Sequence, residues 1–378
     1  LGDVNGDGRL DVLVGNDDGE ASKLYLNGGD DTLFTSATAI VLGSDRDTTD
    51  RVALGDIDGD GDLDALIGNF GQNELYLNGG GATPFDGVIA IDVGEETDTT
   101  HSLTLADIDS DGDLDVLAGS FNQTNKLYLN NGLPFANVTP LAVGAETDST
   151  ESLALGDIDG DGDLDVVAGN YGQINKLYLN NGSTTPFSGV AGTPVGSEAG
   201  DTFGLALGDV DGDGDLDVVA GNYAQINKLY LNNGSTTPFS GVTGTDVGSA
   251  DYTFGLALGD VDGDGDLDVV AGNSVTNKLY LNNGSTTPFS GVTGATVGSD
   301  TDSTFSLVLG DVDGDGDLDV VAGNYGGTNK LYLNNGSMTP FSGVTGTDVG
   351  LILDTTYGLA LGDVDGDGDL DVVAGNYD

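Results

Sequence analysis

The chain has 378 residues, is 37% apolar and carries 65 glycines against 8 prolines, enough to bury a large core and to make many turns. Nine Lys and Arg face 64 Asp and Glu, a formal charge of −55 that repels nucleic-acid phosphates and an anionic membrane face. There is no cysteine to report on redox compartment, and no apolar run reaches the roughly 18 residues of a membrane span.

The acidic residues are confined to short loops that recur along the chain. In order they open at Asp3, Asp56, Asp107, Asp157, Asp209, Asp260, Asp311 and Asp363, a period of about 51 residues that marks a repeat architecture. The segment Leu-Gly-Asp-Val-Asp-Gly-Asp-Gly-Asp-Leu-Asp-Val-Val-Ala-Gly-Asn stands letter for letter at 207–222, 258–273, 309–324 and 361–376. No linker or shift in composition divides the chain. Residues 1–378 are therefore expected to form one domain of eight repeats. The chain also opens inside a repeat, so a fragment of a longer chain is expected.

Within the repeat around residue 209 the strands follow from pattern. Phe203 to Gly208 alternates large and small residues, Leu216 to Gly221 is β-rich, and Lys228-Leu-Tyr-Leu keeps a period of two. These are strands A, B and C. A fourth strand, D, is predicted from Phe239 to about Val247, between the turn residues Asn233-Gly234 and Gly248-Ser249. No segment keeps a helical period. Four short antiparallel strands in about 50 residues predict an all-β fold, a β-propeller of four-stranded blades. In strand A, Phe203, Leu205 and Leu207 face one way and Gly204, Ala206 and Gly208 the other, so the bulky side of one sheet is expected to pack on the small side of the next. Eight hairpins predict eight blades. Seven blades with an overhanging A–B hairpin, or an open superhelix, are the alternatives. In the eighth unit strands A and B are present (near Tyr357 to Gly362 and Leu370 to Gly375) and C and D are not, which leaves an edge for upstream sequence or a second molecule.

Clustered carboxylates need a neutralising partner: a pair 4 Å apart repels by about 1 kcal/mol in water and by about 4 kcal/mol at an effective dielectric near 20. In the loop 209–217, Asp209, Asp211, Asp213 and Asp217 hold positions 1, 3, 5 and 9 around Gly214, a spacing of hard oxygens that suits Ca²⁺; Asp215 is expected to coordinate through its backbone carbonyl. Position 12 is Ala220, not the glutamate of an EF-hand. Equivalent ligand sets are Asp56, Asp58, Asp60, Asp62 and Asp64; Asp107, Asp109, Asp111, Asp113 and Asp115; and Asp157, Asp159, Asp161, Asp163 and Asp165. They continue with Asp260, Asp262, Asp264, Asp266 and Asp268; Asp311, Asp313, Asp315, Asp317 and Asp319; and Asp363, Asp365, Asp367, Asp369 and Asp371. The first loop is Asp3, Asn5, Asp7, Arg9 and Asp11, in which Asn5 replaces a charged ligand and Arg9 adds a positive charge, so its ion is expected to bind more weakly. About eight Ca²⁺ ions are expected, one per loop. The third loop has Ser110 where glycine is usual, and little effect is expected.

Phe203-Gly204, the loop Asp209 to Asp217 and Gly221-Asn222 together resemble the FG-GAP (VCBS) repeats of integrin α-subunit propellers and of many bacterial secreted proteins, and equivalents recur along the whole chain. The resemblance implies a calcium-binding β-propeller. It leaves function open, because such repeats serve adhesins, lectins, receptor domains and some polysaccharide lyases.

Other residues bear on function less directly. His101, the lone histidine, has no Ser or Cys partner in view and is read as a surface or packing residue. Asn181, Asn233, Asn283 and Asn335 open Asn-Gly-Ser, which is read as a tight turn before a glycosylation site. Lys126, Lys176, Lys228, Lys278 and Lys330 recur in Asn-Lys-Leu-Tyr-Leu, where they balance nearby carboxylates. Tyr171, Tyr223 and Tyr325, with Phe70 and Phe121 in earlier repeats, follow strand B on loops expected opposite the acidic hairpins; they either pack between blades or stack on a ligand.

These features predict a non-catalytic, extracellular or cell-surface, calcium-stabilised binding or adhesion module for carbohydrate or an extracellular protein. A structural subunit of a surface layer or filament, self-associating through the incomplete last blade, is the alternative, and a carbohydrate-active enzyme domain the third reading. Nucleic-acid binding and membrane insertion are not expected.

Overall fold

The computed structural model describes residues 1–16, 20–29, 34, 39–43, 48–94, 97–132, 135, 138–350 and 354–377. It divides into two compact units. The first comprises Leu1–Leu153, Tyr178–Gly192 and Gly362–Gly368; the second comprises Ala154–Leu177, Thr193–Leu361 and Asp369–Asp378. Among the described residues every regular element is a β-strand, as the period-two patterning requires.

In the first unit, Val12–Val14, Lys23–Tyr25 and Ile40–Val41 form a three-stranded sheet. Two four-stranded sheets follow: Thr49–Gly55, Asp64–Asn69, Glu74–Tyr76 and Ile91–Asp92, then Thr100–Ala106, Asp115–Ser120, Lys126–Tyr128 and Leu141–Ala142. Each is an antiparallel meander in chain order, the cheapest connection for short strands. The second unit repeats the plan with Gly200–Gly208, Asp217–Asn222, Gln225–Tyr230 and Thr245–Asp251. Two more sheets start at Thr253–Gly259 and Thr304–Gly310, and a two-stranded sheet pairs Thr355–Gly362 with Asp371–Tyr377.

The predicted strands A, B and C lie where the pattern put them, with strand A starting earlier at Gly200. Strand D differs. It runs over Thr245–Asp251, whereas Phe239 is a buried side chain in a turn closed by Val242 N–H donating to the Phe239 carbonyl at 3.1 Å. One further pairing was not expected: Asp165–Gln173 runs past its own repeat and pairs with the next strand A, Tyr171 opposite Asp201 and Gln173 opposite Gly200.

Packing between sheets follows the large-on-small alternation. All six residues of Asp217–Asn222 are buried. A side chain at Gly169 would sit 2.9 Å from Leu205 Cγ, so glycine is what lets strand A of one sheet lie against strand B of its neighbour. The interfaces close over apolar clusters. Val210, Val219, Leu229 and Val247 of one repeat meet Val269, Ala271, Tyr280 and Phe289 of the next, all almost wholly buried. At about 25 cal/mol per Å² of apolar surface, burial of this kind is the main stabilising term.

Candidate metal loops and an aromatic strip

The acidic loop is shaped by its own carboxylates before any ion is considered. Asp209 accepts from the backbone N–H groups of Asp213 (2.9 Å) and Gly214 (3.0 Å), and Asp213 Oδ1 accepts from Asp215 N–H at 3.1 Å. These are Asx turns, in which a short side chain substitutes for a backbone acceptor. Gly212 and Gly214 take φ of 76° and 99°, the left-handed region where a Cβ is penalised. Ser110 takes it too, at φ 60°, and the third loop keeps its form, with Asp111 N–H on Asp107 Oδ1 at 3.0 Å.

Positions 1, 3 and 9 converge. Asp209, Asp211 and Asp217 each place one carboxylate oxygen within 4.8 Å of the others, as do Asp56, Asp58 and Asp64; Asp107, Asp109 and Asp115; Asp157, Asp159 and Asp165; and Asp260, Asp262 and Asp268, with two further groups among the described residues. Within these loops Asp56, Asp109, Asp157, Asp159, Asp211, Asp262 and Asp311 each keep a buried Oδ1 with no hydrogen-bond partner. Buried acceptors without donors are costly. The loops therefore fit a cation, which supplies several oxygens with the partner their own donors do not.

The ninth-position aspartate has a second duty. Asp217 is wholly buried; its Oδ2 accepts from Val210 N–H at 2.9 Å and its Oδ1 from Asn232 N–H at 2.8 Å. Burial pushes its carboxyl up to about 7 against these hydrogen bonds, and does the same to Asp268, while Asp64 and Asp115 rise to about 6. Asp58, Asp109, Asp159, Asp211 and Asp262 are also raised, first by desolvation and then by the neighbouring carboxylate. Metal ligands must be deprotonated, so a cation at these sites would compete with the protons that burial favours.

Positions 5 and 7 lie outside the convergent groups named above. Asp213 serves the loop's own turn, and Asp215 lies over Gly234, whose added Cβ would sit 2.7 Å from Asp215 Oδ2. In the first loop Arg9 takes that place: it pairs with Asp7, donates from Nε to the Asn27 carbonyl at 3.2 Å and approaches Gly29. Asn5 Oδ1 accepts from Asp7 N–H at 3.0 Å.

Sequence reasoning missed the asparagine after strand C. Asn232 Nδ2 donates to the Ile158 carbonyl of the preceding loop at 2.7 Å and to its own Leu216 carbonyl at 3.1 Å, while its Oδ1 accepts from Gly234 N–H. Asn78 reaches Val4, Asn130 Ile57, Asn180 Ile108, Asn282 Val210 and Asn334 Val261 in the same way, each across 72 to 74 residues. Asn27 clasps Val364 at 2.6 Å. The recurring Leu-Asn before the glycine turn was the available signal.

At the other end of strand A the rings gather. Strand A advances about 3.3 Å per residue, which puts Phe203 about 20 Å from Asp209. In the second unit Phe203, Phe254 and Phe305 from successive A strands lie 6.1 and 4.4 Å apart between ring centroids. Tyr171 and Tyr223 stand 5.9 and 5.7 Å from Phe203, and Tyr325 and Tyr357 stand 5.1 and 5.5 Å from Phe305. Tyr252 packs edge-on against Tyr223 at 4.8 Å. The phenylalanines are half-buried; Tyr171, Tyr252, Tyr325 and Tyr357 are exposed. In the first unit His101 lies between Phe70 and Phe121, with its Nδ1 2.8 Å from Glu151 Oε2, so the lone histidine is a packed, paired residue.

The predicted Asn-Gly-Ser turns are formed: Ser183 N–H donates to Asn181 Oδ1 and Asn181 N–H to the Pro186 carbonyl, with the same pattern at Asn233, Asn283 and Asn335. Lys228 pairs with Asp246 at 2.6 Å and Glu198 at 3.0 Å, and Lys330 with Asp348 at 2.6 Å, so these lysines answer carboxylates outside the acidic loops.

Meander sheets repeated along one chain, with convergent carboxylate groups in their loops that could hold a cation, define an all-β acidic-loop repeat protein. The chain belongs to the FG-GAP-like repeat family, a β-propeller family whose model matches residues 3–67, 56–118, 107–168, 157–220, 209–271, 260–322 and 311–374. No curated protein matches it by sequence. Among solved structures it is similar to an Agrocybe aegerita lectin described as recognising non-reducing terminal N-acetylglucosamine, at 20% identity over 97% of this chain and 94% of that one, with a TM-score of 0.58. It is also similar to BBS1N, solved in complex with ARL6DN, at 14% identity over 86% and 88% of the two chains, with a TM-score of 0.51. At these identities the likeness is one of fold.

Proposed function

We propose that this protein is a non-catalytic binding module of the extracellular space or cell surface, held rigid by Ca²⁺ in its acidic loops, that recognises carbohydrate or protein. The observation that carries the reading is the aromatic strip of the second unit. Exposed tyrosines backed by half-buried phenylalanines offer flat, rigid faces with a polar tip, the chemistry that stacks on sugars and anchors protein contacts. The loops suit Ca²⁺ better than Mg²⁺, because a cluster of hard carboxylate oxygens accommodates the larger ion's flexible, higher coordination, whereas Mg²⁺ demands a near-ideal octahedron and keeps most of its water. Such sites fill where calcium is plentiful, hence the extracellular assignment. Known relatives in fold include a lectin and a protein-binding domain, which accords with recognition and leaves the ligand open. The one imidazole is committed to Glu151 and Phe121, so no acid–base role is assigned to it.

We further propose eight blades, since Val364 of the last hairpin takes the same asparagine clasp from Asn27 that six earlier loops take from the repeat after them.

The test is a glycan and extracellular-protein binding screen in millimolar Ca²⁺, repeated on the Tyr171→Ala, Tyr223→Ala, Tyr325→Ala triple variant. Loss of the selected ligand with an unchanged circular dichroism spectrum supports the reading; undiminished binding refutes the strip as the site.

A further inference from the structure

A cavity of about 350 Å³ opens within the second unit, where the loop entering strand A at Gly200 meets the start of strand C at Gln225. Its cause can be read in the sequence. Two residues ahead of the strand A threonine, six repeats carry aspartate: Asp47, Asp98, Asp148, Asp251, Asp302 and Asp354. The repeat around residue 209 has Gly200 there, preceded by Ala199. Asp302 shows what the aspartate fills, since its Oδ1 comes within 3.4 Å of a Cβ added at Gly327, the counterpart of Gln225. With glycine in its place, Ala199, Gly200 and Gln225 line an opening instead.

Several groups in the lining have bonding capacity left over. Tyr230 is 3% exposed, and among the described residues its hydroxyl has no hydrogen-bond partner. In three other repeats the equivalent hydroxyl is taken: Tyr76 donates to Glu74 at 2.6 Å, Tyr178 to Glu146 and Tyr332 to Asp300. Glu198 holds the place of Glu146 and Asp300, but its Oε2 goes to Lys228 at 3.0 Å. The Gln225 amide has no partner among the described residues either, and Lys228, bound to Glu198 and Asp246, keeps a third N–H. The floor beneath is satisfied within itself. Asn175 donates to Thr202 (3.0 Å), Thr202 to Asn222 (2.7 Å) and Asn222 to the Ile226 carbonyl (2.9 Å). A nearly buried hydroxyl left unbonded is costly, so the partner of Tyr230 comes from the cavity, as water or as ligand.

We propose that this cavity is a second recognition site, for one uncharged sugar residue. The lining selects that chemistry. An anion meets the carboxylates of Glu198 and Asp246, and a cation meets the Lys228 ammonium. Adjacent hydroxyls both donate and accept, so one pair answers Glu198 and Lys228 while others answer Gln225 and Tyr230. Ile226 and Ala250 give the C–H face of the ring an apolar wall, and the volume falls within the roughly 300–1,000 Å³ usual for small-molecule sites. The assignment rests on the recognition reading above and narrows it to carbohydrate at this place. It is separate from the aromatic strip, although Asp201, next to Gly200, stands opposite Tyr171 at the strip's end.

The test titrates the full chain in millimolar Ca²⁺ with the methyl glycosides of glucose, galactose and mannose, read by ligand-observed nuclear magnetic resonance. Saturable binding of at least one is expected. Tyr230→Phe should weaken it about five-fold, the worth of one hydrogen bond, at an unchanged melting temperature, because the hydroxyl bonds nothing in the protein. Gly200→Asp, which restores the residue of the other repeats, should abolish binding by filling the cavity; its added Cβ sits 2.9 Å from Asn222 Oδ1, so its melting temperature is measured alongside. Absence of binding by all three glycosides, or equal binding by the wild type and both variants, overturns the proposal. Binding lost in the Tyr171→Ala, Tyr223→Ala, Tyr325→Ala triple variant but kept in Tyr230→Phe and Gly200→Asp also overturns it and assigns the sugar to the strip, so the two readings fail separately. Tighter binding of glucose 6-phosphate than of glucose overturns it as well, since the lining then prefers an anion.

Discussion

Replacing Asn232 by alanine tests whether the asparagine clasp is a structural joint. The change removes two donations, to the Ile158 carbonyl at 2.7 Å and the Leu216 carbonyl at 3.1 Å, and one acceptance from Gly234 N–H at 3.1 Å. Each hydrogen bond contributes about 1 kcal/mol net, and a buried partner left without one costs about 1–3 kcal/mol. Asn232 is 5% exposed, so water restores little, and the expected loss is about 3 kcal/mol. The next residue is an internal control. Asn233 makes its bonds to Ser235 and Thr237 at the exposed surface, and Asn233→Ala should cost under about 1 kcal/mol. Urea unfolding followed by far-ultraviolet circular dichroism in saturating Ca²⁺ measures both. Equal losses for the two variants, or a loss below about 1 kcal/mol for Asn232→Ala, would refute the joint.

Excess chelator should lower the melting temperature steeply and millimolar Ca²⁺ restore it, since one site held at 100 times its dissociation constant contributes about 2.7 kcal/mol; an unchanged melting curve would remove the metal from the account. In chelator, stability should be greatest below about pH 4 and decline as pH rises through 6 to 7, because Asp64, Asp115, Asp217 and Asp268 keep their protons in the folded state up to about 6 or 7 and release them near the ordinary carboxylate value when unfolded. With Ca²⁺ the same carboxylates must ionise to bind, so the gap between loaded and empty melting temperatures should widen from pH 5 to pH 8; a constant gap counts against these residues. Gly196→Ala should destabilise by about 3 kcal/mol or more, since its φ is 79° and the added Cβ would sit 2.2 Å from Tyr230 Cε1, whereas Gly241→Ala, at φ 74° in open space, should cost only about 1–2 kcal/mol. Thermal melts of the two variants should separate clearly.

Strands A, B and C and the acidic loops were legible because their determinants are local: a period of two, β-branched runs and Asx turns act within a few residues. Strand D was misplaced because Pro238-Phe239 and Val242 look apolar enough for a strand, while Ser240 N–H donating to the Thr237 carbonyl and Gly241 at φ 74° fold them into a turn. The recurring asparagine was visible but its partner was not, since Asn232 and Ile158 lie 74 residues apart and nothing local ties them. Tyr171, Tyr223 and Tyr325 each contact a strand A phenylalanine, and those phenylalanines were assigned only to packing. Their contact across neighbouring A strands depends on sheet-to-sheet geometry that one repeat does not contain. Of the five aspartates in each consensus loop the spacing does not distinguish roles; the fold draws positions 1, 3 and 9 together, uses position 5 in a turn and lays position 7 over the glycine after strand C.

The four verbatim copies of residues 207–222 make the clasps interchangeable parts. An asparagine that skips its proper loop and reaches one repeat further back meets the same backbone, the same volume and the same hydrogen bonds. Only the length of chain enclosed differs, from about 73 to about 124 residues, and loop-closure entropy charges about 0.5 kcal/mol for that. Equilibrium contact energies therefore discriminate weakly between the right neighbour and the next one; what excludes the error is that the intervening repeat already occupies the place. A chain released all at once from denaturant meets every copy simultaneously and collects misjoined, slowly resolving species, whereas a chain emerging from its amino end at the pace of synthesis fills each place before its rival exists.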